Sequence, residues 1–181
     1  RACALSDEEV RRVWGAADAI GWPFGPLVQL LLLTAARRTE VAGMAWDEIN
    51  VSAKLWTLPA ARSKNGVEHA IPLSEQAMRI LQSLPRVGDR FVLSTNGRNR
   101  ISGFGRAKQR IDAAITEPLP AWTLHDLRRT VASGLGALGV SGETIERALN
   151  HRSGVFGGLA GVYQRHRYEA EIRDALQRWA D

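Results

Sequence analysis

Cysteine is almost missing from this chain: Cys3 is the one thiol in 181 residues. A single thiol cannot close an internal disulfide, which excludes a disulfide-stapled scaffold and fits a reducing compartment. Long apolar runs are missing as well. The longest, Leu27 to Ala36, contains Gln29 and falls well short of the ~20 residues of a membrane span; no secretion signal is expected either. No Cys/His/Asp/Glu group has metal-ligand spacing, and no Gly-rich loop suits a nucleotide phosphate. The chemistry is therefore expected to need neither metal nor cofactor. Tyrosine is scarce, with only Tyr163 and Tyr168. Linkers, internal repeats and low-complexity tracts do not stand out.

What is there is basic and well able to fold. Apolar residues make up 45% of the chain, and 24 Lys and Arg against 19 Asp and Glu leave a net charge of +5. Clustered cations of this kind suit nucleic acid, because binding releases counterions condensed on its backbone. A merely solvating basic surface explains the charge equally well. At this size one ordinary domain is expected. The chain opens at Arg1 without a methionine and reads as a piece of something longer.

The pattern is mostly helical. Ser6-Asp7-Glu8-Glu9 forms a capping box for a helix to about Ala19. After the breaker Gly21–Pro26, Pro26 starts a second helix, apolar nearly all round and so buried. It ends in Thr34-Ala35-Ala36-Arg37-Arg38-Thr39-Glu40, and a short third helix reaches Met44. Leu55–Leu58 reads as a strand, Lys64-Asn65-Gly66 as a hairpin turn, and Val67–Ile71 as the return strand closed by Pro72. Helices follow at about Glu75–Leu84, Gly103–Thr116, Leu124–Leu138, Gly142–Leu149 and Leu159–Trp179, with a short apolar run at Phe91–Leu93. The fold class is mainly α with a small antiparallel β-hairpin, an α+β arrangement in one domain over residues 1–181.

An ordered series of side chains can carry chemistry. Arg37 ends a helix junction with Glu40 three residues on, where the carboxylate can hold the guanidinium; an ordinary intrahelical ion pair has the same spacing. Arg38 beside it faces elsewhere, as a surface residue or a contact to a DNA backbone. Lys64 sits at the hairpin tip, where lysines are ordinarily just solvated. In Thr123-Leu124-His125-Asp126-Leu127-Arg128, a capping box places His125 in the first helical turn with Arg128 on the same face. A helix N-terminus offers free N–H groups and a positive dipole end, both suited to phosphate. His151 follows a helix end, where it can cap carbonyls or donate to a ligand. Tyr163 and Tyr168 lie ~140° apart on a helix, so only one can face a given site. Singly, each has a bland structural explanation.

In order, these segments resemble the catalytic domain of the tyrosine recombinases, and the phage and genomic-island integrases in particular. Leu31-Leu32-Leu33-Thr34-Ala35-Ala36-Arg37-Arg38-Thr39-Glu40-Val41 is similar to the first arginine box, with Trp46 following. Ser63-Lys64-Asn65-Gly66 is similar to the hairpin lysine segment. His125-Asp126-Leu127-Arg128-Arg129-Thr130 matches the His-x-x-Arg box, Leu149-Asn150-His151 the third box, and Gly161-Val162-Tyr163 the nucleophile segment. Ala35 stands where the family often has Gly. The stretch from His151 to Tyr163 is longer than in many relatives and rich in glycine. The family's N-terminal DNA-clamping domains have no counterpart among these residues.

The resemblance implies DNA strand exchange without ATP or metal. Tyr163 would attack a phosphodiester, giving a 3′-phosphotyrosyl link and a free 5′ hydroxyl. Arg37 and Arg128 would hold the non-bridging oxygens, with Glu40 supporting Arg37. His125 would act as base, His151 as a hydrogen-bond donor, and Lys64 would protonate the departing oxygen. The implied partners are double-stranded DNA at attachment or crossover sites, further copies of the chain in a tetramer on DNA, and directionality or host architectural factors. The implied setting is the bacterial cytoplasm and nucleoid. The last helix carries an apolar stripe of Ile172, Ala175, Leu176 and Trp179 that can dock on its own core or on a neighbour. Three rival readings are a tyrosine-type topoisomerase, a degenerate recombinase domain, and a non-catalytic helix-turn-helix module built from Leu124–Leu138 and Ser141–Leu149.

Overall fold

The computed structural model describes residues 4–151 and 160–181, with the side chains of 160–167 outside the description. Helix α1 (Asp7–Ile20) opens on the expected capping box: Ser6 N–H donates to Glu9 Oε2 at 2.8 Å, and Glu9 N–H to Ser6 Oγ at 3.3 Å. Helix α2 (Phe24–Thr34) starts two residues before Pro26. The proline falls within the first turn, where a missing N–H breaks no helical bond. From Leu27 to Thr34 every side chain of α2 is buried, so this helix is the central post of the core. It packs closely on α1 because residue 25 is glycine: a Cβ there would overlap the Ala17 carbonyl oxygen.

Helix α3 (Arg38–Ala42) leads through a 3-10 turn (Trp46–Glu48) into three short strands, β1 (Ile49–Asn50), β2 (Leu55–Leu58) and β3 (His69–Pro72). They form an antiparallel sheet in the order β1-β2-β3. The sheet departs from the expected hairpin in two ways. β1 adds a third strand, and the β2–β3 pairing stops at Leu58↔His69. The connection is therefore the whole segment 59–68, not a tight turn at Asn65-Gly66. Within it Gly66 N–H donates to Ser63 O at 3.1 Å, closing a turn around Lys64 and Asn65, and Gly66 takes a φ of +65°. Side-chain bonds to other elements hold this connection away from the ladder, as described below.

Helices α4 (Glu75–Ser83), α5 (Phe104–Ala114), α6 (Leu124–Ala137), α7 (Gly142–Ala148) and α8 (Ala160–Ala180) complete the order, close to their expected bounds. The run Phe91–Leu93 pairs with the segment after α3, through an Ala45↔Phe91 bridge and a bond from Val92 N–H to Met44 O. Helix α8 docks on its own core. Ile172, Ala175 and Leu176 are buried, and Trp179 Nε1 donates to Leu32 O at 2.9 Å. Gly134 of α6 makes room for the Trp179 ring, which a Cβ at 134 would strike.

Candidate functional site

The site assembles where four chain segments meet: the α2–α3 junction, the start of α6, the end of α7 and the connection 59–68. At the junction, Ala35 takes a left-handed φ of +52° and is fully buried. This conformation is what a glycine at that position would adopt freely; alanine accepts it at modest strain. Arg37 then precedes α3, and Glu40 holds it twice: Arg37 N–H donates to Glu40 Oε2 at 2.8 Å and Arg37 Nη1 to Glu40 Oε1 at 3.0 Å. The Glu40 side chain is 3% exposed against 17% for Arg37, so the carboxylate forms the floor and the guanidinium retains an open side.

Helix α6 begins with the expected reach-back. Asp126 Oδ2 accepts from both the backbone N–H and the hydroxyl of Thr123 at 2.8 Å. Arg128, one turn in, is 6% exposed. Its Nη1 donates to the carbonyl of Ala35 and its Nη2 to that of Leu149, so one guanidinium ties α6 to the α2–α3 junction and to the end of α7. Burial, and then the nearby charge of Arg37, push its pKa down to about 10, which still leaves it protonated at neutral pH. His125 lies exposed on the rim of the same helix start. Partial desolvation, followed by the charges of Arg129 and Arg128, lowers its pKa from the ordinary imidazole value, which favours the neutral ring.

His151 lies just past α7 and is exposed. Its N–H donates to Glu146 O at 2.9 Å, and Nδ1 sits 3.1 Å from Glu146 Oε2. The Glu146 carboxylate thus engages Nδ1 of the ring. Lys64 is exposed on the connection 59–68. Arg38 is exposed too, stacked on the Phe104 ring with 4.6 Å to its centroid. Tyr163 lies in α8, but its side chain and the glycine-rich stretch 152–159 are outside the described residues. Tyr168 is engaged elsewhere: the Arg147 guanidinium stacks on its ring at 3.8 Å, and a hydrogen bond with Glu143 raises its pKa, which disfavours the nucleophilic phenolate.

Buried Glu40 and Arg128 and half-buried Arg37 thus form a charged floor, with His125 within electrostatic reach of both arginines. Four further groups escaped sequence reasoning. Arg62 anchors the connection 59–68 by pairing with Glu48, through Nε at 2.9 Å, and by donating from Nη1 to Glu40 O at 3.3 Å. His69, half-buried on β3, lies within electrostatic reach of Glu40, Arg128 and Arg37; desolvation lowers its pKa to about 4 despite Glu40 and a bond to the Arg147 backbone. Asn65 and Asn150 join the connection to the end of α7. Arg62 and His69 belong to no motif. The two asparagines stood inside quoted segments, but their pairing depends on long-range contact that spacing cannot reveal. The helix-turn-helix reading fares poorly here, because the end of α7 and the basic face of α6 are spent on internal bonds.

A sequence model described as the phage integrase family matches residues 4–156. The match stops short of Tyr163. The chain is 33% identical over 154 residues to prophage integrase IntA of Escherichia coli, an alignment covering 83% of this chain and 36% of that protein. It therefore spans little more than a third of this relative's length. Among solved structures, the integrase of mycobacterium phage Brujita superposes with a TM-score of 0.71 at 17% identity, covering 98% of this chain and 57% of that one. A lambda integrase tetramer bound to a Holliday junction gives a TM-score of 0.66 at 19% identity, over 87% of this chain and 49% of that one.

Proposed function

Because the chain belongs to the phage integrase family, we propose that it is the catalytic domain of a site-specific recombinase that cuts and rejoins DNA through a 3′-phosphotyrosyl intermediate. The observation that carries this reading is the anchoring of Arg37 and Arg128 side by side, one on a buried carboxylate and the other on two main-chain carbonyls. Guanidinium groups fixed before substrate arrives suit the extra charge that builds on a phosphorane-like transition state. Losing one preorganised donor of this kind costs ~3–4 kcal/mol of transition-state stabilisation.

Tyr163 attacks the phosphorus. A phenol with a pKa near ~10 is scarcely ionised at neutral pH, so it needs a proton acceptor. His125, whose neutral form its surroundings favour, takes the phenolic proton. His151 donates a hydrogen bond to a phosphate oxygen. Lys64 passes a proton to the departing 5′ oxygen, and another strand's 5′ hydroxyl reverses the sequence. The bond energy is kept in the phosphotyrosyl link, so the exchange runs without ATP.

The partners follow from the same reading: duplex DNA at an attachment or crossover site, and further copies of the protein in a tetramer on that DNA, as in the lambda integrase assembly. Directionality or host architectural factors regulate the choice of sites. The domain, residues 1–181, works within a longer protein beside domains that clamp the DNA. No helix among the described residues is long and apolar enough to cross a membrane, and action on the nucleoid in the bacterial cytoplasm suits the chemistry. The test is covalent trapping on a nicked duplex carrying the element's own flanking sequence. The wild-type chain forms a protein–DNA adduct, and Tyr163→Phe binds the duplex without forming one. An adduct that survives in Tyr163→Phe overturns the assignment of the nucleophile.

A further inference from the structure

The last carbonyls of a helix have no partner within it, and at α7 the donors come from the candidate site. Arg128 reaches the carbonyl of Leu149, His69 bonds the backbone of Arg147, and the Asn65 amide donates to the carbonyl of Asn150. The Asn65 bond is one half of an exchange. Asn150 Nδ2 donates in turn to Ser63 Oγ at 3.1 Å. Ser63 and Asn65 are the two neighbours of Lys64, so the exchange brackets the lysine on both sides. Ser63 is 8% exposed while Lys64 between them is exposed. Asn150 adopts a φ of +48°, a left-handed conformation that asparagine enters more readily than most residues. From that conformation its carbonyl and its amide both meet the connection 59–68. The Arg62 bonds to Glu48 and Glu40 hold the connection just before Ser63. Beyond them, the two asparagines decide where its tip lies.

We infer that Asn65 and Asn150 are positioning residues: a reciprocal amide latch that fixes Lys64 at the departing oxygen and couples it to the turn bearing His151. The inference rests on the proposed strand-cleavage chemistry. In that step the Tyr163 Oη–P bond forms, the P–O5′ bond breaks, and the Lys64 ammonium proton moves to the 5′ oxygen. A latch of this kind matters because a catalytic group displaced by about 1 Å loses roughly a hundredfold in rate.

The experiment uses Asn65→Ala and Asn150→Gly; glycine tolerates the left-handed backbone while removing the amide. Single-turnover cleavage is measured on a nicked duplex with the ordinary scissile oxygen and on one with sulfur in the 5′ bridging position. A thiolate, whose conjugate acid has a pKa of about 8.5, departs without a proton. Both variants are expected to lose roughly tenfold to a hundredfold on the oxygen substrate, to match the wild-type rate on the sulfur substrate, and to show no further loss in the double variant. Lys64→Ala gives the same rescue. Equal losses on both substrates, or no loss on oxygen, overturn the latch. Hydrogen exchange decides independently of activity. Amides of residues 60–68 exchange faster in both variants while those of α1 and α2 are unchanged; unaltered exchange in 60–68 overturns the latch. Should the wild-type chain form no adduct, the recombinase reading falls, and exchange still tests the contact.

Discussion

Arg128 and Lys64 are both cations proposed to meet the same phosphate, and the fold treats them in opposite ways. Arg128 is buried, bonded to two main-chain carbonyls from different segments, and shares its charge environment with Arg37 and Glu40. Lys64 is exposed on a long connection whose position depends on side-chain amides. A group that binds charge throughout a reaction benefits from rigid preorganisation, and the structure is willing to desolvate it. A group that must give up a proton and recover it gains from staying wet and adjustable. The floor of the site is therefore part of the core, whereas the rim can be altered without disturbing the fold.

That contrast can be broken experimentally. The largest effect is expected at Glu40, whose removal strands Arg37 at the edge of the core. Glu40→Ala should cost ~3–5 kcal/mol of stability, as for other buried pairs deprived of one partner; a loss under ~1 kcal/mol in urea denaturation would show that the floor is not structural.

His69 comes next and is read by pH. Its folded pKa of about 4 lies below the ordinary histidine value of 6.5. The unfolded chain therefore binds more protons as pH falls through this window, and stability declines from pH 6.5 toward 4. The decline attributable to His69 is at most ~3 kcal/mol. His69→Gln, which keeps a donor for the Arg147 backbone, should flatten the slope; an unchanged slope in denaturation at pH 4.5 and pH 7 removes His69 as its source.

Arg128→Lys keeps a cation but cannot serve both carbonyls. Leaving one buried acceptor unsatisfied costs ~1–3 kcal/mol, and cleavage should fall as well. A variant as stable as wild type would mean that the two main-chain bonds contribute little. The smallest stability effect is expected for Lys64→Ala, within ~0.5 kcal/mol as for other exposed positions, while cleavage of an oxygen substrate is lost. A large loss of stability there would erase the distinction between floor and rim.

Much of the local structure was legible beforehand because its causes are local. Ser6 and Glu9 cap α1, Thr123 and Asp126 open α6, and the nearly unbroken apolar surface of α2 forces it into the core. The antiparallel β2–β3 pair and the turn at Lys64-Asn65-Gly66 are both present, but the Asn-Gly signal does not show how far the ladder extends. Here the pairing ends at Leu58 and His69, and the segment between them is claimed by Arg62, Glu48, Asn65 and Asn150. The third strand β1 is too short to leave a pattern.

By itself, then, the sequence determined which residues cap and which are apolar on one face, since these depend on neighbours within one or two turns, and which set of Arg, Lys, His and Tyr to suspect, since their order along the chain is a sequence property. Tertiary structure alone decided that Arg128 binds two carbonyls, that His69 stands beside the charged floor, that α8 packs on its own core, and that Asn150 grips both sides of Lys64. Each of those depends on segments far apart in the chain being brought within hydrogen-bonding distance. The fold provides that proximity when it buries the apolar faces, and residue spacing does not encode it.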